Sequence, residues 1–335
     1  MQSSLLLSGL LHHTGSSSKN IAIDGYAIRS CSRNNDLAEP GYKARSLKSP
    51  QINVLIAYDT VQKSPLMYRT YRGSSVDKRS VIELLESRSF KKTKFMVDRG
   101  FFSEKVLQLM SKDENSYIIP LPSNNPNWKR IKKTLAYTSG EFIYKISAKE
   151  TARIIYYEEM IDETTRICVF KDVDENNSKR KNYQQLIDLE EEGYTQENYE
   201  KYCEWWGVYV LQDTTGQSAP SVYSDYKSRW SIETYNNYIK NDADFNALKN
   251  QDYYCAHGFD FIMLVTGLIH SRLSVAVKAL NKPSISTFDA LIKSGHMRMV
   301  QHENEWKLHN TRTRDIELLE EMGFNPQESF PVSRK

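Results

Sequence analysis

At 335 residues, with 39% hydrophobic and 26% charged side chains and a net charge of +3, the chain has the balance of a soluble globular protein large enough for one sizeable domain. Its four cysteines (Cys31, Cys168, Cys203, Cys255) form no C-x-x-C pair and its seven histidines no H-E-x-x-H spacing, which excludes a disulfide framework and a zinc cluster. No apolar run reaches the ~18 residues of a membrane span, the best, 259–269, being broken by Asp260 and Thr266, so no membrane partner and a cytoplasmic location are predicted.

Residues 1–20 are Ser- and Leu-rich and read as a flexible leader without the basic start of a signal peptide. The first strand is the run Ile21-Ala-Ile-Asp24-Gly25, which stops at an acid. Strands at 52–58 and 66–71 follow, then an amphipathic helix over 76–87 with apolar residues at 81, 82, 84 and 85. Lys94-Phe-Met-Val-Asp98 is another strand ending in an acid. A helix from about Ser103 and a fifth strand at 117–119 complete a mixed α/β pattern. Acids at the ends of two such strands converge on an open sheet edge, where sites form.

Between residues 140 and 213 the pattern changes to alternating strands, with 172–181 as a charged loop, and this block is predicted to be a β-rich acidic insertion. Charge is segregated along the chain. Residues 41–105 hold 14 Lys/Arg and 6 Asp/Glu, whereas 150–204 hold 7 and 15. Such segregation fits one face for a polyanion, or two solvated surfaces that differ in sign. The segment Asn127-Trp128-Lys129-Arg130 sets an aromatic beside cations. Trp128 either stacks an unpaired base or anchors a loop.

After Ser218-Ala-Pro220 a helix is predicted to run to about Lys240, followed by an apolar helix over 257–280 and a small helical tail. On the first of these, Tyr226, Arg229, Glu233 and Lys240 project within a stripe about 60° wide at ~100° per residue. The plain alternative is an exposed charged face with Arg229 and Glu233 paired one turn apart.

The spacing Y-x(2)-R-x(3)-E-x(6)-K, met here by Tyr226, Arg229, Glu233 and Lys240, resembles the helix motif of insertion-sequence-four-like DDE transposases. Val97-Asp98-Arg99-Gly100-Phe101 is similar to the strand end carrying that family's second acid, and Ile23-Asp24 to its first. The family often has threonine two positions after the first acid, where this chain has Tyr26. Asp59, which also ends a strand, is the alternative first acid; Asp24 is preferred because it lies in the first strand.

The resemblance implies a ribonuclease H-like mixed sheet flanked by helices, with the strand-rich insertion ahead of the third acid. Its parts would be a core at 21–139 and 214–282, the insertion at 140–213 and a tail at 283–335. It implies catalytic and metal-binding roles for Asp24, Asp98 and Glu233, with two Mg²⁺ ions (Mn²⁺ as a substitute) roughly 3.5–4 Å apart and Asp24 bridging them. It further implies DNA contacts through Tyr226, Arg229 and Lys240, to which the residue reading adds Arg99, Trp128, Lys129 and Arg130. The partners would be double-stranded DNA, terminal repeats and target, bound by a homodimer. The protein would be nucleoid-associated in a prokaryotic cell. Only 23 residues precede Asp24, which motivates a second expectation: a truncated or catalytically inactive DNA-binding derivative. A host nuclease or resolvase fits less well, since it has no need of the Tyr/Arg/Lys stripe.

Overall fold

The apolar run at 51–59 has no polar face, so it forms a strand only where both sides are covered. In the computed structural model it is β2 (Gln51–Asp59), and every residue in it is buried. The structure describes residues 20–30, 32, 35–41, 50–128, 131, 138–147, 149–242, 247–248, 252–282, 284–309, 312–324 and 329–331. β2 runs antiparallel to β1 (Asn20–Ser30) on one side and to β3 (Ser64–Arg72) on the other. On the far side of β1 lie β4 (Lys94–Val97) and β5 (Ser116–Pro120), both parallel to it. The crossovers are α1 (Asp77–Ser87) and α2 (Glu104–Met110), the latter capped by Ser103, whose side chain accepts from the Val106 amide.

Residues 140–213 contain β6 (Gly140–Lys145), β7 (Thr151–Met160), β8 (Arg166–Asp172) and β9 (Val208–Asp213), successively antiparallel. They join the main sheet where β9 pairs with β5. The result is one 10-stranded mixed sheet in the order β3-β2-β1-β4-β5-β9-β8-β7-β6, with the short β10 (Ala247–Leu248) also on β1. The charged stretch at 172–181 is not a loop, as the sequence predicts, but enters α3 (Val173–Asp188). Asp172 caps it by accepting from the Glu175 amide at 2.9 Å. The buried Asn176 amide donates to the carbonyls of Cys203 and Trp206 at 2.8 Å each. These bonds, rather than an apolar stripe, hold this polar helix in place. α4 (Gln196–Tyr202) follows it.

The sheet is flanked by helices. On one face, Val81, Leu84, Val106 and Met110 of α1 and α2 pack with Ile21, Ile23, Phe95 and Val97. On the other, Ala219, Val222 and Tyr223 of α5 (Ala219–Ser228) pack with Met96, Ile118, Phe170 and Leu211. Lys94 of β4 also pairs with Asp225 of α5. The single helix predicted from 219 to 240 is divided at Arg229 into α5 and α6 (Trp230–Asn237), then ends in a π-helical turn, Tyr238–Asp242.

The chain divides into two compact units, one ending at Asp260 and one beginning at Phe261. The long α7 (Tyr253–Ala279) starts in the first, where buried Asp260 accepts from the Thr70 amide at 3.0 Å and its hydroxyl at 2.5 Å. Contrary to the sequence reading, Tyr254–Ala279 is long and apolar enough to cross a membrane by length and composition, with 39% of its most apolar window buried. The second unit also contains α8 (Thr287–Gly295), α9 (Thr313–Glu321) and a three-stranded antiparallel sheet of β11 (Arg298–His302), β12 (Glu305–His309) and β13 (Ser329–Pro331). No strand was predicted there, because most residues of β11 and β12 are exposed and leave no apolar alternation to read.

Candidate active site

β1 does not end at Asp24, as the sequence suggests, but continues to Ser30. The reason lies in its two neighbours. Parallel pairing with β4 stops at Ile23 against Val97, while antiparallel pairing with β2 continues to Arg29 against Gln51. Asp24 and Asp98 are therefore each the first residue past the same parallel register. Side chains alternate along a strand. Ile23 and Val97 face α1 and α2, so the two acids face the opposite side, which α5 and α6 cover.

Glu233 projects from α6, where its Oε1 accepts from an Arg229 terminal nitrogen at 2.6 Å. One turn further on, the buried Asn236 Nδ2 donates to Asp24 Oδ2 at 2.7 Å, and the Gly25 amide donates to Asp24 Oδ1 at 2.9 Å. The helix carrying the third acid is thus bonded directly to the first. Asp98 is exposed and does not use its side chain to cap the turn that follows it.

Arg229 is 8% exposed and lies with its guanidinium carbon 5.5 Å from the Tyr226 ring centroid. Burial opposes its charge, but Tyr226, Glu233 and Asp98 outweigh this and raise its pKa. The Tyr226 hydroxyl is also raised, chiefly by burial, against the pull of Arg229, with Asp98 and Glu233 adding to the rise. Both side chains therefore lie in the field of two of the three acids.

Lys240 sits in the π-helical turn, so the uniform α-helical projection used on the sequence does not hold for it. Its ammonium stands 4.3 Å from the centre of the Tyr26 ring, a cation–π contact on the face of β1 that carries Asp24. Tyr26, the departure from the family's threonine, therefore has a defined partner. Burial, then Tyr235, Asp260 and Asp24, push its hydroxyl well above the ordinary value.

Arg99 is exposed at the turn after β4 and lines a cavity. Trp128 donates its indole N–H to the Leu121 carbonyl at 3.2 Å and packs on Trp205 with ring centroids 5.3 Å apart, the arrangement of a loop anchor. Lys129 and Arg130 lie outside the described residues. Asp59, the alternative first acid, is 1% exposed and accepts from the amides of Val61 and Gln62 at 2.9 Å each, which closes the β2–β3 turn.

Asn236 was not picked out from the sequence. Its signal was there, three residues after Glu233 and so on the same side of the helix. Among the described residues no group of three His, Cys, Asp or Glu side chains stands at metal-binding spacing. Glu233 is instead engaged by Arg229. The chemistry of the donor set nonetheless fits a hard divalent cation, since all three side chains offer carboxylate oxygens.

The profile of the transposase DDE domain matches residues 15–254. No curated protein sequence matches the chain. Among solved structures, the piggyBac transposase synaptic complex with hairpin DNA aligns over 92% of this chain and 52% of that one, with 9% identity and a TM-score of 0.43. The Mos1 transposase paired-end complex with left transposon end aligns over 32% and 37%, with 13% identity and a TM-score of 0.19. The chain thus spans about half the length of the piggyBac protein it resembles. The match covers most of the chain and includes Asp24, Asp98 and Glu233: this protein belongs to the transposase DDE domain family.

Proposed function

We propose that the chain catalyses cleavage and strand transfer of DNA during transposition, as a member of the insertion-sequence-four-like group with a ribonuclease H-like core. The observation that carries this reading is the 2.7 Å bond from Asn236 to Asp24, which draws the Glu233 helix onto the strand whose parallel neighbour ends beside Asp98. Asp24, Asp98 and Glu233 would hold Mg²⁺, or Mn²⁺ in its place, in two ions. When bound, such ions activate the attacking oxygen and stabilise charge on the leaving one. Two acids on adjacent strand ends with a third close by repel one another, and Arg229 offsets that repulsion until the cation is present.

In the first reaction a water oxygen bonds to phosphorus, the bond from phosphorus to the 3′ oxygen breaks, and that oxygen leaves as a 3′-hydroxyl. In the second, this hydroxyl attacks another phosphodiester and releases a new 3′ end. Arg229 and Tyr226, fixed beside Glu233 and Asp98, orient the phosphate oxygens, and Lys240 supplies a further cation along the same helix. Double-stranded element ends and target are the substrates, and a homodimer in the nucleoid region of a prokaryotic cytoplasm pairs two ends.

Glu233→Gln keeps the shape of the side chain and removes its charge. It is expected to abolish Mg²⁺-dependent nicking of DNA bearing the native flanking repeats while retaining DNA binding. Undiminished nicking by that variant removes Glu233 from the site.

A further inference from the structure

A cavity of about 530 Å³ opens at the turn that follows Asp98. Its lining includes Lys78 from the first turn of α1, Arg99 and Phe102 after β4, and Pro122, Asn124 and Asn125 from the loop after β5. It contains two cations and no acid. Lys78 and Arg99 are exposed, and among the described residues neither enters an ion pair. Around Gly100, also in the lining, no atom comes within 4 Å of where a Cβ would stand, so a strand has room to pass directly beside Asp98.

The far wall is preformed. Asn125 Oδ1 accepts from the Asn127 amide at 3.0 Å, the Asn125 amide donates to the Pro122 carbonyl at 2.9 Å, and Trp128 ties the loop back to Leu121. Those bonds use the Asn125 acceptor and its backbone and leave its side-chain N–H donors facing the cavity's polar side. Phe102 and Pro122 supply apolar surface opposite the cations. A volume of 530 Å³ is within the ~300–1,000 Å³ of small-ligand sites and is far too small for a duplex.

We propose that this cavity receives one unpaired nucleotide of the DNA strand that runs past Asp98. Its phosphate lies against Lys78 and Arg99, its base against Phe102 and Pro122, and its base edge meets the amides of Asn124 and Asn125. Cations track the backbone, and apolar surface with amide donors takes the base, the combination by which proteins hold single strands. This assignment rests on the strand-cleavage reading, because it places the nucleotide beside the scissile bond.

The test uses the full chain in metal-free buffer, with anisotropy of a fluorescent ten-residue oligothymidylate read across salt concentrations. Lys78→Ser/Arg99→Ser is expected to bind about tenfold more weakly and to flatten the slope of log affinity against log salt by roughly 1.4, at ~0.7 per lost phosphate contact. Lys78→Glu alone should weaken binding further than Lys78→Ser. An otherwise identical probe with all bases removed should bind the wild-type protein at least about fivefold less tightly. The cavity assignment is overturned if the double variant matches the wild type in affinity and slope, or if the abasic probe binds as well as the intact one. Because no cleavage is involved, the two readings fail separately. A wild-type chain that shows this binding but never cuts DNA with Mg²⁺ defeats the enzymatic reading alone.

Discussion

Asn236 and Asp24 are 212 positions apart in sequence, yet their side chains are joined by a 2.7 Å hydrogen bond. That bond fixes one oxygen of Asp24, while the neighbouring Gly25 amide fixes the other. Asn236→Ala is expected to lower the rate of Mg²⁺-dependent cleavage by 10- to 100-fold (about 1.4–2.7 kcal/mol of barrier), with DNA affinity changed less than about threefold. Single-turnover rates and equilibrium binding, measured on the same preparation, separate the two. An equal loss in both would mean that the residue only supports the fold.

Asp59 and Asp24 are distinguished by their surroundings. Asp59 spends an oxygen on two turn amides, a task that an asparagine oxygen also performs. Asp59→Asn is therefore expected to cleave DNA within about threefold of the wild type, whereas Asp24→Asn is inactive. Cleavage assays on the two variants decide which acid belongs to the site.

Arg229 lies in the field of Glu233 and Asp98 and is nearly buried. Arg229→Met fills much of the same space without the charge. We expect a stability loss of roughly 1–3 kcal/mol, read by urea unfolding, together with weaker DNA binding. The lower half of that range is favoured because Glu233 keeps 30% side-chain exposure and can recover water. A variant as stable as the wild type would show that the pair contributes nothing net to folding.

Asp260 offers a purely structural comparison. It is buried and satisfies both the amide and the hydroxyl of Thr70. Asp260→Ala leaves those donors without an acceptor and should cost about 2–3 kcal/mol in chemical denaturation. A loss below 0.5 kcal/mol would mean that water replaces the carboxylate there.

Burial pushes the Cys168 thiol from its ordinary 9.0 up to about 12. At pH 8 about one molecule in ten thousand carries the thiolate, so iodoacetamide should modify exposed Cys255 and spare Cys168 until the chain unfolds. The sign for stability follows. The raised value makes the neutral thiol the favoured folded form, so its contribution is complete below pH 9 and is lost as pH climbs from 9 toward 12. Peptide mass spectrometry after timed labelling checks the first point, and Cys168→Ala melts across pH the second.

The strands of the first half were legible because their apolar runs are continuous and their turns carry Pro, Gly and Asn signals. β2 and β4 lie within one residue of their expected limits. The charged helix α3 was not, since its order comes from Asp172 and a buried Asn176 reaching distant carbonyls. Period alone cannot reveal contacts of that kind. The acids at 24, 98 and 233 were singled out from the sequence. The pairing of Asn236 with Asp24, and the place of Tyr26 under Lys240, depend on which face of β1 meets α6. A local reading of a strand contains no information about the helix that will cover it.

The interrupted pairing along β1 also bears on how such a protein is made. An emerging polypeptide exposes Asp24 early, but its partners at 98, 233 and 236 leave the ribosome much later, and the strand's central place requires those distant pieces to dock before anything is held there. Incomplete translation products would then carry the first carboxylate on an unpaired strand with no means of cutting a genome. Placing the pieces of a dangerous reaction at opposite ends of a long chain makes completion of synthesis a condition for its onset.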